Sequence, residues 1–528
     1  MRGLPLAAAI AFATLFGSGH TASAQDDSEQ RLGKVHFATS CNETAQRRFD
    51  RAMRYQHSFW YAASKDIYDE TAKADPECAM AYWGVALSLL NNPHSPVPAP
   101  NLPLGLAAIE KAKAMGAKTQ RERDYIDALA VMYVDYDKIP HQARVQSYVK
   151  AMEALAARYP DDEEAQIFYA IALNVGASPS DKTYANQLKG AAILEPIFQR
   201  APQHPGVAHY LIHLYDYPAI AEKGLPAALR YAKIAPNAPH AQHMPSHIFT
   251  RVGYWKESIA ANAASVSAAK ASKEPGDQMH GEDYEVYAYL QLGQDDEARG
   301  IVGDIKAMKF GPDAFAAAFS QASSPARYMV ERGDWKGAAG LAVEPSKFPH
   351  VMAVTHFARA LGAARSGNPA AAKADAAKLG ELRDSLRETK NDYWAGQVDV
   401  QQQVATAWIL YAEGKYDDAL KAMATAVAAE DKTEKAPVTP GPLAPARELY
   451  GFMLLDRGMA KEALAAFEAT MAKEPNRFNG YVGAAKAAEA AGYKAKAKEF
   501  YGKLLAMVGD VKSDRPSLTE ARTFVASN

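Results

Sequence analysis

The chain has only two cysteines, Cys41 and Cys78, in 528 residues, and no excess of charge: 59 Lys and Arg stand against 61 Asp and Glu. That balance leaves no basic face to hold a phosphate backbone, so nucleic acid is not an expected partner. Alternating β-branched runs, the mark of half-buried strands, are nearly missing, while Ala, Leu, Glu, Lys and Gln recur at helical spacing, so an all-α fold is expected. The phosphate loop, the dinucleotide fingerprint, the nucleophile elbow and the HExxH zinc signature are also lacking, which removes the enzyme classes those motifs mark but not every hydrolase. Beyond residue 16 no apolar run reaches membrane length, so no membrane span is expected. The composition, 48% hydrophobic and 23% charged, is that of an ordinary globular protein. A chain this long must split into domains or extend as a repeat array.

Residues 1–24 read as a leader peptide. Arg2 gives a positive start, Leu4 to Phe16 is a short apolar run, and Ala22-Ser23-Ala24 forms a small-residue cleavage site. The mature chain is expected to start near Gln25, with no following cysteine to carry a lipid anchor, and to be soluble and exported to the periplasm or the medium. In an oxidising compartment, Cys41 and Cys78 are expected to form a disulfide, since both precede amphipathic stretches that would be neighbouring, roughly parallel helices. Two buried thiols, or a soft metal site with a histidine, are the alternatives.

Internal periodicity organises the rest. Gly458 and Gly492 lie 34 residues apart, as do Ala463 and Ala497, Phe467 and Tyr501, and Gly333 and Gly367, while Gly253, Gly293 and Gly333 step by 40. Within RELYGFMLLDRGMAKEALAAFEATMAKEPN, the residues Tyr450, Gly451, Leu454, Gly458, Ala463, Phe467 and Pro475 fall where the tetratricopeptide repeat places its small and bulky packing residues. The chain thus resembles the tetratricopeptide repeat superfamily, strongly over 444–509, fairly over 45–76, and with stretched repeats between. The resemblance implies an α-solenoid: helical hairpins stacked into a superhelix, with a concave groove lined by the first helix of each pair. It divides the mature chain into N-terminal hairpins (25–203), a central histidine-rich block (204–300), further hairpins (301–430), a proline-rich insertion or linker (431–446) and a C-terminal repeat pair with a capping helix (447–528).

The histidine-rich block carries the functional signal. Of 14 histidines, His204, His209, His213, His240, His243 and His247 fall within 44 residues. His209, His213 and Asp216 stand at i, i+4, i+7, and His240, His243 and His247 at i, i+3, i+7, so each set lines one helix face. Counting back from Gly253 puts the second set at inward-facing repeat positions, and the same count from Gly293 gives His280, Asp283 and Tyr287. Imidazole and carboxylate converging from adjacent helices suit Zn²⁺, Fe²⁺, Ni²⁺ or Cu²⁺. The expected ligands are His209, His213, His243, His247 and Asp283, with the four imidazoles near a common point. Asp216, His240, His280 and Tyr287 are expected to line the groove, and Glu282 or Asp216 to accept hydrogen bonds behind the ligands, with Glu282 the candidate base.

Two functions stay open on these residues. One is an exported scaffold that binds a peptide, protein segment or small ligand in a His/Asp/Tyr-lined groove, with or without a bound transition metal. The other is a metal-dependent hydrolase or metal carrier. The absence of a recognisable nucleophile weighs against catalysis. His94, on the proline-rich loop 91–103, is expected at the surface, the alternative being that the loop folds over one groove edge and brings His94 with it. Pro245 is expected to bend the chain at the histidines, either as a kink in a continuous helix or as the first residue of a new one.

Overall fold

The structure is a computed structural model describing residues 30–527; the leader-peptide expectation lies outside them. Among the described residues there is no strand, and no helix is long and apolar enough to cross a membrane. The chain is an all-α stack of tetratricopeptide-like hairpins in which each helix packs chiefly on its neighbours in sequence. The turn glycines set the repeat. Gly253, Gly293, Gly333, Gly367, Gly458 and Gly492 all adopt positive φ, between 69° and 84°, a conformation that costs glycine nothing and a side-chain-bearing residue about 1 kcal/mol. Small residues then let the helices close up. Phe467 is fully buried between Gly451 and Gly483, where an added Cβ on Gly483 would come within 2.2 Å of its ring.

Cys41, just before the helix Glu43–His57, is disulfide-bonded to Cys78, the N-cap of Ala79–Leu89, with their Cα atoms 5.0 Å apart. The two helices open successive hairpins, which is why the starts of both come together.

Three large apolar cores follow the chain, over Leu32–Phe249, Ala318–Met453 and Leu454–Ala521. The first runs straight through the boundary suggested at 203/204. Between the first two, over roughly 255–317, apolar clusters are small and polar side chains fill much of the interior. The C-terminal hairpins fold back onto this polar middle. Trp255 Nε1 donates to the carbonyl of Asn476 (2.7 Å), and the backbone N–H of Phe478 donates to Gln291 Oε1 (2.9 Å). Arg477, fully buried, joins Glu331, Glu448 and the hydroxyl of Tyr287.

Residues 431–446 form an ordered insertion rather than a free linker. Tyr284 donates to the carbonyls of Pro437 and Thr439, Arg327 to those of Gly441 and Pro442, and Tyr393 to that of Glu434. Lys182 reaches the carbonyl of Thr433 and the carboxylate of Glu434 from more than 250 residues away. The segment makes few bonds of its own, such as the Thr439 N–H to the Ala436 carbonyl, and several of its other carbonyls take their donors from the side chains of the helices around it.

Candidate metal centre

Seven histidines from five segments meet in one place. In chain order the helices that frame it are α1 (Glu43–His57), α2 (Pro205–Tyr215), α3 (Pro239–His243), α4 (Pro245–Val252), α5 (Trp255–Ser272), α6 (Pro275–Gln291) and α7 (Phe315–Glu331). His209 and His213 come from α2, His240 and His243 from α3, His247 from α4 and His280 from α6. The seventh, His94, comes from the loop after Leu90. Their rings touch in series, with centroids 4.4 Å apart for His94–His213, 4.9 Å for His209–His213 and 5.0 Å for His209–His240. The series continues with His213–His247 at 6.0 Å, His243–His247 at 4.9 Å and His243–His280 at 4.3 Å.

Pro245 produces the bend that brings α3 and α4 onto one site. Met244 between them keeps right-handed helical dihedrals, and proline, lacking an N–H, takes the first position of α4. His240 and His243 therefore sit on one short turn and His247 on the next. The two alternatives read from the sequence merge here: the path is nearly continuous, and the hydrogen-bond ladder restarts.

Ligand-type nitrogens draw together as two triads, His209/His213/His240 and His243/His247/His280, each with its nitrogens within 4.8 Å of one another. In the first, His209 Nε2 lies 3.1 Å from both His213 Nε2 and His240 Nε2. In the second, His243 Nε2 lies 3.0 Å from His247 Nε2. Three nitrogens around one tetrahedral ion are separated by about 3.3 Å when each metal–nitrogen bond is about 2.0–2.1 Å.

The partners of the other ring nitrogens decide what these contacts are. His209 Nδ1 lies 2.7 Å from the carbonyl of His57, so its proton is inferred to be on Nδ1. His247 Nδ1 faces the Asp216 carboxylate at 2.9 Å and must likewise be the donor. His243 Nδ1 faces Asn262 Oδ1 at 2.6 Å, and that amide is oriented because Asn262 Nδ2 donates to the Ser258 carbonyl. A neutral imidazole has one N–H. His243 and His247 therefore turn bare lone pairs on each other at 3.0 Å.

Protonation does not relieve this contact. Burial is the first cause holding all seven imidazoles below their ordinary range; neighbouring imidazoles add to it for the six other than His247, where Asp216 opposes it and Lys435 and Arg251 add to it, and His209 and His280 are lowered to about 3 and His94 to about 4. Burial alone would raise the Asp216 carboxyl, but Lys435, Arg251 and His247 outweigh it and hold it well below the usual range. Burial lowers Lys435 to about 8, partly offset by Asp216. Asp216 thus anchors His247 from behind, while Arg251 (2.8 Å) and Lys435 (3.2 Å) clamp its oxygens.

The expected residues divide as follows. His209 and His213 fall in one triad, and His243 and His247 in the other. His240 and His280, expected only to line the groove, complete them. Asp283 belongs to neither triad: its Oδ1 accepts from the hydroxyls of Ser323 and Ser324 on α7, its Oδ2 is buried without a hydrogen-bond partner among the described residues, and burial, only partly offset by Arg327, raises its pKa. Glu282 bonds Gln278 (2.8 Å) and approaches Lys270 (3.9 Å), so it does not face the histidines as a base would. Tyr287, fully buried, meets Arg477 and Trp255, one helical turn beyond Asp283. His94 is half-buried against His213, with a buried Nε2 that meets no partner among the described residues.

Several walls of the site carry no signal of their own in the sequence. Tyr284 packs on His243 and His247 at 4.6 and 5.3 Å, and Tyr231 stacks on His209 at 5.0 Å. Phe59, held at φ 57°, covers His209 and His240 at 4.2 and 5.2 Å. A third cluster, His57, Glu164 and His204, was also not anticipated. There Glu164 accepts one hydrogen bond from each imidazole (3.0 and 2.9 Å), which accounts for the contact without an ion.

No protein-family model matches the chain, and no curated protein matches it. Among solved structures, it is similar to Naa15/Naa10 bound to HypK-THB at 13% identity, covering 91% of this chain and 72% of that one, with a TM-score of 0.24. It is similar to the APC/C hetero-tetramer Cut9-Hcn1 at 10% identity, covering 91% and 89%, with a TM-score of 0.29. The human IFIT1 dimer with m7Gppp-AAAA gives 10% identity, 92% and 100% coverage, and a TM-score of 0.33. At these scores the likenesses say nothing about ligand or activity, and the fold rests on the hairpins and turns of the chain itself.

Proposed function

We propose that this protein is a tetratricopeptide-like metal-binding protein whose two histidine triads hold transition-metal ions. The observation that carries the reading is the 3.0 Å approach of His243 Nε2 and His247 Nε2, both with their Nδ1 protons committed elsewhere. Two lone pairs facing each other in a dry interior repel, and a cation between them turns the repulsion into two bonds. Neutral imidazole, already free of competing protons at neutral pH, is the form that binds metal. Zn, Cu, Ni and Fe all accept such nitrogen donors.

The scaffold reading is less well supported near this site. The chain's own residues 431–446 bond to Tyr284 of α6 and Arg327 of α7, and a peptide partner binding those side chains would have to displace them. The hydrolase reading loses its base, because Glu282 faces Gln278 and Lys270. Storage, transfer or electron exchange by bound metal fits a site walled by Phe59, Tyr231 and Tyr284.

Metal analysis of the full chain, purified, loaded with these metals in turn and freed of excess by gel filtration, tests the reading. Stoichiometric metal is expected, falling by at least half in His243→Ala with the helical signal retained. Wild-type chain that stays metal-free after every loading overturns it.

A further inference from the structure

The metal reading leaves open which ion the site prefers and how many it takes, and the charges around the triads bear on both. Each triad consists of imidazoles alone. No thiolate is at hand, because Cys41 and Cys78 are bonded to each other. The carboxylate beside the triads, Asp216, is already engaged: Arg251 and Lys435 both pair with its oxygens. An ion entering either triad therefore keeps its full charge in a buried place whose adjacent carboxylate is already paired with two cations.

The cost of burying an ion grows with the square of its charge, so a divalent ion costs about four times what a monovalent one does. The triads are also neighbours. His213 and His247 are 6.0 Å apart between ring centroids, and His240 and His243 are 6.2 Å apart, so an ion in one triad lies within strong Coulomb range of an ion in the other. Two divalent ions would place four unneutralised charges in one dry cavity beside Lys435, and two monovalent ions only two. Copper is the metal among Zn, Cu, Ni and Fe with an accessible monovalent state, and among divalent ions it also binds nitrogen donors most tightly.

Resting on the metal reading, we propose that the two triads form one paired centre that binds two copper ions in the monovalent state, one at His209/His213/His240 and one at His243/His247/His280.

The test uses the full metal-free chain without oxygen, offered Cu(I) as its acetonitrile complex together with an equal concentration of Zn(II). Two copper ions per chain with zinc excluded at least tenfold are expected. His240→Gln and His280→Gln, at the two least buried ring positions of the triads, should each leave one copper per chain with the circular dichroism unchanged. Zinc bound in preference, a single copper in the wild-type chain, or two coppers unaffected by either variant would overturn the paired copper centre while leaving the metal reading standing. Wild-type chain that takes neither ion overturns both.

Discussion

An imidazole whose proton is committed to an oxygen on one side offers only a lone pair on the other, and the centre is built from that asymmetry. The carbonyl of His57, the amide of Asn262 and the carboxylate of Asp216 each fix a ring and leave its Nε2 facing inward. Asp216→Asn would strand Arg251 and Lys435 as buried unpaired charges; we expect a loss of about 3–5 kcal/mol in denaturant unfolding. Lys435→Met leaves Asp216 paired to Arg251 and removes one positive charge beside the centre, so zinc should bind at least about tenfold more tightly in competition titrations. Acid should act through the same residues. The folded chain holds His209, His280 and His94 at about 3, 3 and 4 against an ordinary 6.5, so the unfolded chain takes up protons first. Stability of the metal-free protein is then full above about pH 6.5 and lost as pH falls toward 4, readable as a falling Tm. At this scale the sequence was only partly legible. Spacing placed His209, His213, His243 and His247 on inward faces, but it could not show that Ser323 and Ser324 capture Asp283, nor that a loop carries His94 inward.

Between residues and molecule, the helices and turns behaved as their sequence signals require. Glycine at the inter-helix turns was readable because the left-handed turn recurs at fixed spacing. The 34-residue step also placed Phe467 against the small residues around it. Gly483→Ala would push a methyl group into the Phe467 ring, and a destabilisation of about 1–3 kcal/mol is expected in thermal melts. The proline-rich insertion was visible as composition but not as position. Its carbonyls are satisfied by Tyr284, Arg327 and Tyr393, which lie at positions where a tyrosine or arginine reads equally well as core or surface.

For the whole molecule, stacking in phase is what turns scattered histidines into a site. α2, α3, α4 and α6 bring their histidines to one space, with Pro245 opening α4 at the bend. The return of the C-terminal hairpins onto the polar middle had no periodic signal, since it depends on single residues such as Arg477, Trp255 and Arg515 meeting partners about 150–220 positions away. Arg477→Met would leave Glu331 and Glu448 facing each other unpaired; a loss of about 3–5 kcal/mol is expected, with faster amide exchange over residues 474–481 than over the first core. The most direct measurement of the central claim is an anomalous difference map from metal-loaded crystals of the full chain. The account predicts peaks bonded at about 2 Å to Nε2 of His209 and of His243 and His247. Peaks confined to the surface, or none, with the His243 and His247 nitrogens still facing each other unbridged, would contradict it.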